Sequence, residues 1–351
     1  MRIFQHVDEF NERDGIGNDI SGFDSIFKDL HLESNIICRI NNSKQKTDIY
    51  SPEDKLVFSK NDVHILHYGG TGYPIDFFAN LPGKKILRFH NITPAYFFKP
   101  YLDSSIYESF EKNESISLFE LYSLRKNIHF LWSDSKFNQD EFFKFTGKTN
   151  KFIAEVLPVT HRYPLATAKS ENNFTIGFVG RLVPNKKIED LYFTLFYLKK
   201  INPKYRLILF GKRNQIFKKY FQKLDSIAEE LNLLDSIELN ENLDDANLRD
   251  KFSKLSVYVS MSEHEGFGVP LLEAMSLNIP VIAYSSTAVT ELVENAGLLF
   301  STKDFPKIAE LIDTLHSNPN IKDRLLQMQK KRIQIISNFS YKEKIQNLIK
   351  I

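Results

Sequence analysis

The chain has 351 residues, with 46 Lys and Arg against 44 Asp and Glu, a formal net charge of +2 and 42% hydrophobic residues. That length calls for two domains, each with its own core, and the near-balanced charge excludes a general polyanion binder, so no nucleic-acid partner is expected. The one cysteine, Cys38, excludes an intrachain disulfide and suits a reducing compartment, the first residues lack an apolar signal core, and no run reaches the roughly 20 apolar residues of a membrane span.

Strand and helix patterns alternate along the chain, with no repeat and no low-complexity segment. A short strand around Ile3 to Val7 leads to Asp14-Gly15-Ile16-Gly17-Asn18-Asp19, and an apolar-periodic helix follows (Ile20, Phe23, Ile26, Phe27, Leu30). A flexible loop at Gly15 and Gly17 can approach a phosphate or an acceptor, or be a plain turn. Further strands are predicted near 35–38, 62–68, 84–90, 128–133 and 151–156, with Gly69-Gly70-Thr71-Gly72 as a strand-to-helix turn. The strand from Lys84 presents His90 at its carboxyl end, before a loop fixed by Pro94, and an imidazole there is well placed for a reacting group. His64 and His67 flank the preceding strand's apolar face and read as structural. Gly147-Lys148-Thr149 has the ending of a phosphate-binding loop, but Phe142 stands where its first glycine is required. A hinge is predicted from Pro158 to Asn172, where Pro164 and small polar residues interrupt the periodicity.

After the hinge, strands are predicted near 174–179, 205–210, 236–239, 256–260, 280–284 and 297–300, with helices between and a helical stretch from Ile321 to Ile351. The first of these runs into Gly180-Arg181-Leu-Val-Pro-Asn-Lys186-Lys187 and a helix from about Ile188, so two or three cations converge on a helix N-terminus. Arginine offers a planar fork and lysine a mobile point charge, both suited to a diphosphate, and each charge-assisted bond is worth roughly 1.5–3 kcal/mol. From Leu191 to Leu224 there is no Asp or Glu while nine Lys and Arg accumulate. That stretch reads as a membrane-facing or nucleotide-facing patch, or as a solvated helix face.

The most informative string is 261–275, Met-Ser-Glu-His-Glu265-Gly266-Phe267-Gly268-Val-Pro270-Leu-Leu-Glu273-Ala-Met. It follows a β-branched run that reads as a buried strand. Pro270 suits the first helical position, and Leu271, Leu272 and Met275 supply an apolar stripe. Glu265 then lies in the loop and Glu273 early in the helix, at the carboxyl edge of a sheet, where open α/β folds bind ligands. The amides around Gly266 to Gly268 can face an anion, whereas carboxylates repel phosphate and are expected to grip sugar hydroxyls.

This string resembles the Glu-x7-Glu signature of family-four glycosyltransferases, which are retaining enzymes of the GT-B fold, with Glu265 and Glu273 in its acidic positions. Gly180-Arg181-Leu-Val-Pro-Asn-Lys186 is similar to the Gly-Arg-Leu-x-Pro-x-Lys motif of the same family; Lys187 stands where that family often has Gly or Asn. Ile86-Leu-Arg-Phe-His-Asn-Ile-Thr-Pro94 and Ser133-Asp-Ser-Lys-Phe-Asn138 look like stretches of bacterial family-four enzymes that build surface polysaccharides. The resemblance implies an α/β GT-B fold of two Rossmann-like domains facing across a cleft. Residues 1–163 would form the acceptor-side domain and 164–335 the nucleotide-sugar domain, with 336–351 a C-terminal helix packing back on the first. It also implies roles. Glu265 and the Gly266, Phe267 and Gly268 amides contact the donor sugar, and Glu273 holds the ribose. Arg181 and Lys186 stabilise the departing diphosphate, with Lys187 beside them, Gly15 and Gly17 form a glycine-rich loop on the ligand, and His90 contacts the reacting sugar.

There is no His-Glu-x-x-His, Cys-x-x-Cys or Asp-x-Asp motif, so neither a metal nor a cofactor is expected beyond the donor substrate. The chain therefore reads as a retaining glycosyltransferase moving a hexose or related sugar from a nucleotide-diphosphate donor to a hydroxyl of a glycan or lipid-linked acceptor. A cytoplasmic location is expected, with peripheral contact at the inner membrane face left open. A sugar-nucleotide epimerase of the same fold is the alternative. A catalytically silent sugar-nucleotide-binding protein is a third reading, but binding alone would not need Arg181, Lys186 and both glutamates together.

Overall fold

A computed structural model describes residues 1–12, 14–44, 48–160 and 173–350, with side chains of the last helix described through Gln346. Most of the expected hinge, 161–172, lies outside the described residues. Two compact units form: one comprises 1–94, 108–162 and 338–351, the other 95–107 and 163–337. Residues 95–107, assigned from the sequence to the first domain, thus cluster with the second unit.

The first unit holds seven parallel strands: β1 (Arg2–Phe10), β2 (Glu33–Asn41), β3 (Ile49–Tyr50), β4 (Val63–Tyr68), β5 (Lys84–Phe89), β6 (Phe130–Ser133) and β7 (Ile153–Val156). They run in the order β3-β2-β1-β4-β5-β6-β7. Strands β4 and β5 are buried almost throughout, as parallel strands covered on both faces must be, which is why they read as near-continuous apolar runs. One face is closed by the helix Gly15–Asp29, which buries Ile20, Phe23 and Phe27 at helical spacing. Phe23 stacks on Trp132, with centroids 5.7 Å apart, and Ile345 from the last helix enters the same cluster.

The second unit has six parallel strands: β8 (Thr175–Val179), β9 (Arg206–Phe210), β10 (Ile237–Asn240), β11 (Val257–Ser260), β12 (Val281–Tyr284) and β13 (Leu298–Phe300). Their order, β10-β9-β8-β11-β12-β13, is the doubly wound 3-2-1-4-5-6 arrangement of a Rossmann domain. With two such parallel sheets the chain has the GT-B fold class. Gly177 sits directly under Leu255, where a Cβ would come within 2.2 Å of its methyl carbon, so β8 needs glycine there to accept that packing.

Two sequence expectations change in detail. The stretch from Ile321 is two helices, Pro319–Ser337 and Tyr341–Lys350, and the second belongs to the first unit, where the Tyr341 hydroxyl donates to the Pro158 carbonyl at 2.9 Å. Pro270 occupies the second, not the first, position of the helix Val269–Ser276; either lacks an intrahelical acceptor for its N–H, so proline costs nothing. Among the described residues no helix is long and apolar enough to cross a membrane.

Candidate active site

In the second unit the topological switch point lies between β8 and β11, which pair with each other while their connections diverge to opposite sides. Ligands of open α/β sheets bind at the carboxyl end of such a pair. The Arg181–Lys187 segment follows β8, and the Glu265–Glu273 segment follows β11.

After β8 the chain makes a 3-10 turn, Pro184–Lys186, and Lys187 takes a left-handed conformation (φ 52°, ψ 53°) as N-cap of the helix Ile188–Ile201. Glycine and asparagine adopt that conformation most readily, which explains why they fit this position. The two loops are tied together: the Glu263 amide donates to the Asn185 carbonyl at 2.9 Å, and Asn185 Nδ2 donates to the His264 carbonyl at 3.1 Å. So fixed, Lys186 Nζ lies 2.6 Å from Glu265 Oε1 and 3.4 Å from the His264 carbonyl. Burial lowers the Lys186 pKa from the usual lysine value, Glu265 opposes that shift, and the Arg181 charge adds to it. Arg181 itself is exposed. Lys187 reaches Glu263 at 3.5 Å, and Lys303 bridges Glu263 and Asp190 at 2.8 and 2.6 Å.

The acidic corner is held from below. Thr287 Oγ1 accepts from the Glu265 amide and donates to the Glu265 carbonyl, both at 2.9 Å. Gly268 has φ +99°, a conformation that strains other residues, and a Cβ there would meet Leu271 at 2.9 Å. Phe267 is buried, and Gly266 and Glu273 are half-buried. Burial, with Glu265 and Glu273 adding to it, pushes the Tyr258 hydroxyl well above the usual tyrosine value, and that hydroxyl donates to the Val179 carbonyl at 3.4 Å. His264 is buried with its ring against Phe97; burial and then Lys186 bring it down to about 4 against the pull of Glu265.

In the first unit, Gly15 and Gly17 form the first turn of the helix Gly15–Asp29, not a flexible loop. Asp14 is the N-cap and accepts from the Gly17 amide at 2.7 Å, so that amide is not offered to a phosphate. A Cβ on Gly17 would fall 1.8 Å from the Asn11 carbonyl oxygen, while Gly15 has nothing within 4 Å. Close approach of the preceding loop, rather than of a ligand, explains Gly17.

His90 follows β5 and is packed into a buried polar network that the sequence did not reveal. Its Nδ1 lies 2.8 Å from Asp134 Oδ2 and its Nε2 lies 3.1 Å from His67 Nδ1. Arg88 pairs with Asp19 at 2.7 Å and Asp134 at 2.9 Å, and donates to the Leu157 and Pro158 carbonyls. Asp19 also accepts from the Thr160 amide at 2.6 Å. Its pKa is lowered to about 2, with burial opposing and Arg88, His90 and His67 prevailing. His67, read as merely structural, is thus a direct partner of His90. Asp19, His67 and His90 place ligand atoms within 4.8 Å of one another, but the Arg88 guanidinium occupies the Asp19 carboxylate, so this is an ion-pair cluster in its chemistry. The legible clue was Arg88: a guanidinium on a strand buried on both faces demands carboxylates.

The basic stretch 191–224 is partly committed locally: Arg213 pairs with Asp225, Lys219 with Asp103 and Lys223 with Glu189, and Lys199 donates to Ser236. Lys204, Arg206, Lys212 and Lys218 are exposed.

Residues 162–334 match the family described as glycosyl transferases group 1. The O-antigen chain mannosyltransferase B of Escherichia coli is 26% identical over 67% of this chain and 62% of its own length. The capsular polysaccharide biosynthesis glycosyltransferase CapM of Staphylococcus aureus is 28% identical over 46% of this chain and 42% of its own. The matches span less than two thirds of these relatives. Among solved structures, HepE of Anabaena in complex with UDP and glucose superposes with a TM-score of 0.69 at 15% identity, over 96% of this chain and 95% of that one.

Proposed function

We propose that this chain, whose residues 162–334 form a glycosyl transferases group 1 domain, is a retaining glycosyltransferase of bacterial surface-polysaccharide synthesis. It moves a hexose from a nucleotide-diphosphate donor to a hydroxyl of a glycan or lipid-linked acceptor. The observation that supports this reading is the Lys186–Glu265 pair at 2.6 Å, a cation suited to a diphosphate beside a carboxylate suited to sugar hydroxyls.

Charge on the departing diphosphate grows as the bond to the anomeric carbon breaks, and Arg181 and Lys186 stabilise it most where that charge is greatest. Glu265 orients the sugar hydroxyls, Glu273 holds the ribose, and the corner at Gly266, Phe267 and Gly268 supports the donor. Lys187 contributes positive potential from its left-handed position, restrained by Glu263. With two cations for the leaving group, the transfer needs neither metal nor cofactor. The family resemblance assigns His90 to the reacting sugar. The relatives named as an O-antigen chain mannosyltransferase and a capsular polysaccharide glycosyltransferase support the substrate class, and UDP and glucose in the HepE complex support a nucleotide and a hexose as ligands.

The test is to incubate purified protein with radiolabelled nucleotide hexoses, with and without a lipid-linked saccharide acceptor. Acceptor-dependent incorporation with the anomeric configuration kept is the expected result. Conversion of the donor to another sugar nucleotide without acceptor, or binding without turnover across the donor set, would reject it.

A further inference from the structure

The second unit carries an ion-pair cluster next to the Lys186–Glu265 pair that no motif of the sequence marks. Its centre is Lys303, in the short loop between β13 and the helix Phe305–Ser317. Lys303 Nζ lies 2.6 Å from Asp190 Oδ2 and 2.8 Å from Glu263 Oε1, and 4.7 Å from the centroid of the Tyr284 ring at the end of β12. Charge-assisted bonds of that length are strong ones, and a cation over an aromatic face gains further from the ring's quadrupole. Asp190 belongs to the first turn of the helix that follows Lys187, and Glu263 to the loop that leads to Glu265. One side chain from a third loop therefore ties the two together.

Lys187 is held at a greater distance. Its Nζ is 3.5 Å from Glu263 Oε2, beyond the roughly 2.7–2.9 Å of a close ammonium–carboxylate bond, and 28% of its side chain is exposed against 18% for Lys303. Two lysines and two carboxylates make the quartet neutral, but its close pairs are those of Lys303. Burial raises the Asp190 carboxyl above its usual value; Lys303 opposes that shift most, Glu189 adds to it and Lys187 also opposes it. A buried carboxylate needs a partner cation, so with Lys303 gone both carboxylates would turn to Lys187.

We infer that Lys303 is a positioning residue for the diphosphate site: by holding Glu263 and Asp190 it keeps them from closing on Lys187, whose ammonium stays available to an anionic ligand. Such a role rests on the reading above that Lys187 lends charge to the donor diphosphate. A purely mechanical role, with Lys303 stapling three loops, differs in what Glu263 does. In a staple Glu263 is an anchor, and its loss weakens the site further; here it is the competitor, and its loss restores Lys187. Removing Lys303 alone also removes a positive charge from the neighbourhood of the ligand. Asp190→Asn/Lys303→Met takes away one charge of each sign instead, avoids stranding the buried Asp190 carboxylate, and leaves Glu263 with Lys187 as its cation.

Isothermal titration calorimetry of the full-length protein, with uridine diphosphate and guanosine diphosphate as probes, measures this competition. Asp190→Asn/Lys303→Met should raise the Kd of whichever probe binds the parent by about tenfold, the scale of one charge-assisted bond. Adding Glu263→Gln should bring the Kd back to within about twofold of the parent, and in a Lys187→Met background the double substitution should shift it by no more than about twofold. An unchanged Kd in Asp190→Asn/Lys303→Met overturns the inference, and so does a loss that Glu263→Gln deepens or leaves in place. If that variant does not fold, the same comparison with and without Glu263→Gln is made on Lys303→Gln, whose amide can still donate to Asp190. If neither nucleotide binds the parent, the diphosphate reading fails separately, and a crystal structure of the double variant still decides how Lys187 is held. Lys187 Nζ closing on Glu263 to about 2.8 Å supports the role given to Lys303, and a pair left at 3.5 Å overturns it.

Discussion

Lys186 and Glu265 are each other's counter-ions: Nζ and Oε1 are 2.6 Å apart, with only 12% and 16% of their side chains exposed. On the proposed function, a diphosphate arriving at Lys186 competes with a carboxylate already in place. That competition separates what the two residues do, because removing the carboxylate charge frees the lysine for phosphate while depriving the sugar of its partner.

Glu265→Gln should accordingly leave the affinity for a free nucleoside diphosphate unchanged or improve it, while turnover falls by roughly 100-fold or more, the scale for a lost preorganised group at a reacting centre. Calorimetric titration with the diphosphate and steady-state transfer rates measure the two halves. Weakened diphosphate binding at unchanged turnover would be the opposite pattern and would remove Glu265 from the sugar.

Gly15 and Gly17 should diverge when each is replaced by alanine. At Gly17 the methyl collides with the Asn11 carbonyl at 1.8 Å, so thermal unfolding should show a loss of more than about 3 kcal/mol, within the range of severe steric substitutions. At Gly15 the space is open, and alanine in a first helical turn should stabilise by up to about 1 kcal/mol. Equal effects at the two sites would mean that the close approach of the Asn11 carbonyl does not set Gly17.

How far this site was legible follows from which forces sequence patterns record. The strands of both sheets were visible because burial on both faces leaves apolar runs such as Ile86-Leu87 and Val257 to Val259. β1 and β2 extend past their apolar centres because polar residues continue the pairing, and Arg39 bridges to Asp8 at 2.7 Å. The short β3 has no pattern of its own. The first turn of Gly15–Asp29 was hidden because two glycines suggest a loop, whereas the Asp14 side chain caps Gly17. The two loops after β8 and β11, joined by Lys186 and Glu265, were legible as local strings. The His90 network was not: its partners lie 44 and 69 residues apart in the chain, as in His90–Asp134 and Arg88–Asp19, and periodicity records which face a residue occupies without naming what it meets.

Acid should destabilise both units through their buried histidines. Burial brings His64 down to about 4 against the opposing pull of Asp62, and His264 is brought down to about 4. In the unfolded chain both bind protons near the ordinary value of about 6.5. A depressed folded value contributes stability that is complete above about 6.5 and is lost as pH falls towards 4, because the unfolded state takes up protons first. Between pH 7 and pH 5 each histidine should cost on the order of 2 kcal/mol, read as a falling denaturation midpoint. His64→Gln should flatten the slope; an unchanged slope would place the acid sensitivity elsewhere.

The central claim, that Arg181 and Lys186 stabilise the diphosphate as it departs, is tested most directly by the transfer rate of the Arg181→Ala/Lys186→Ala enzyme at saturating donor, with Lys218→Ala as the surface control. Lys186 lies at the switch point and its charge is coupled to Arg181, so the double variant should lose both donor affinity and turnover, a combined deficit in kcat/KM on the order of 3–5 kcal/mol, the scale of two charge-assisted bonds, while the control stays near the parental rate. A double variant that transfers sugar at the parental rate once donor is saturating would show that the pair serves ground-state binding alone, and would contradict the account.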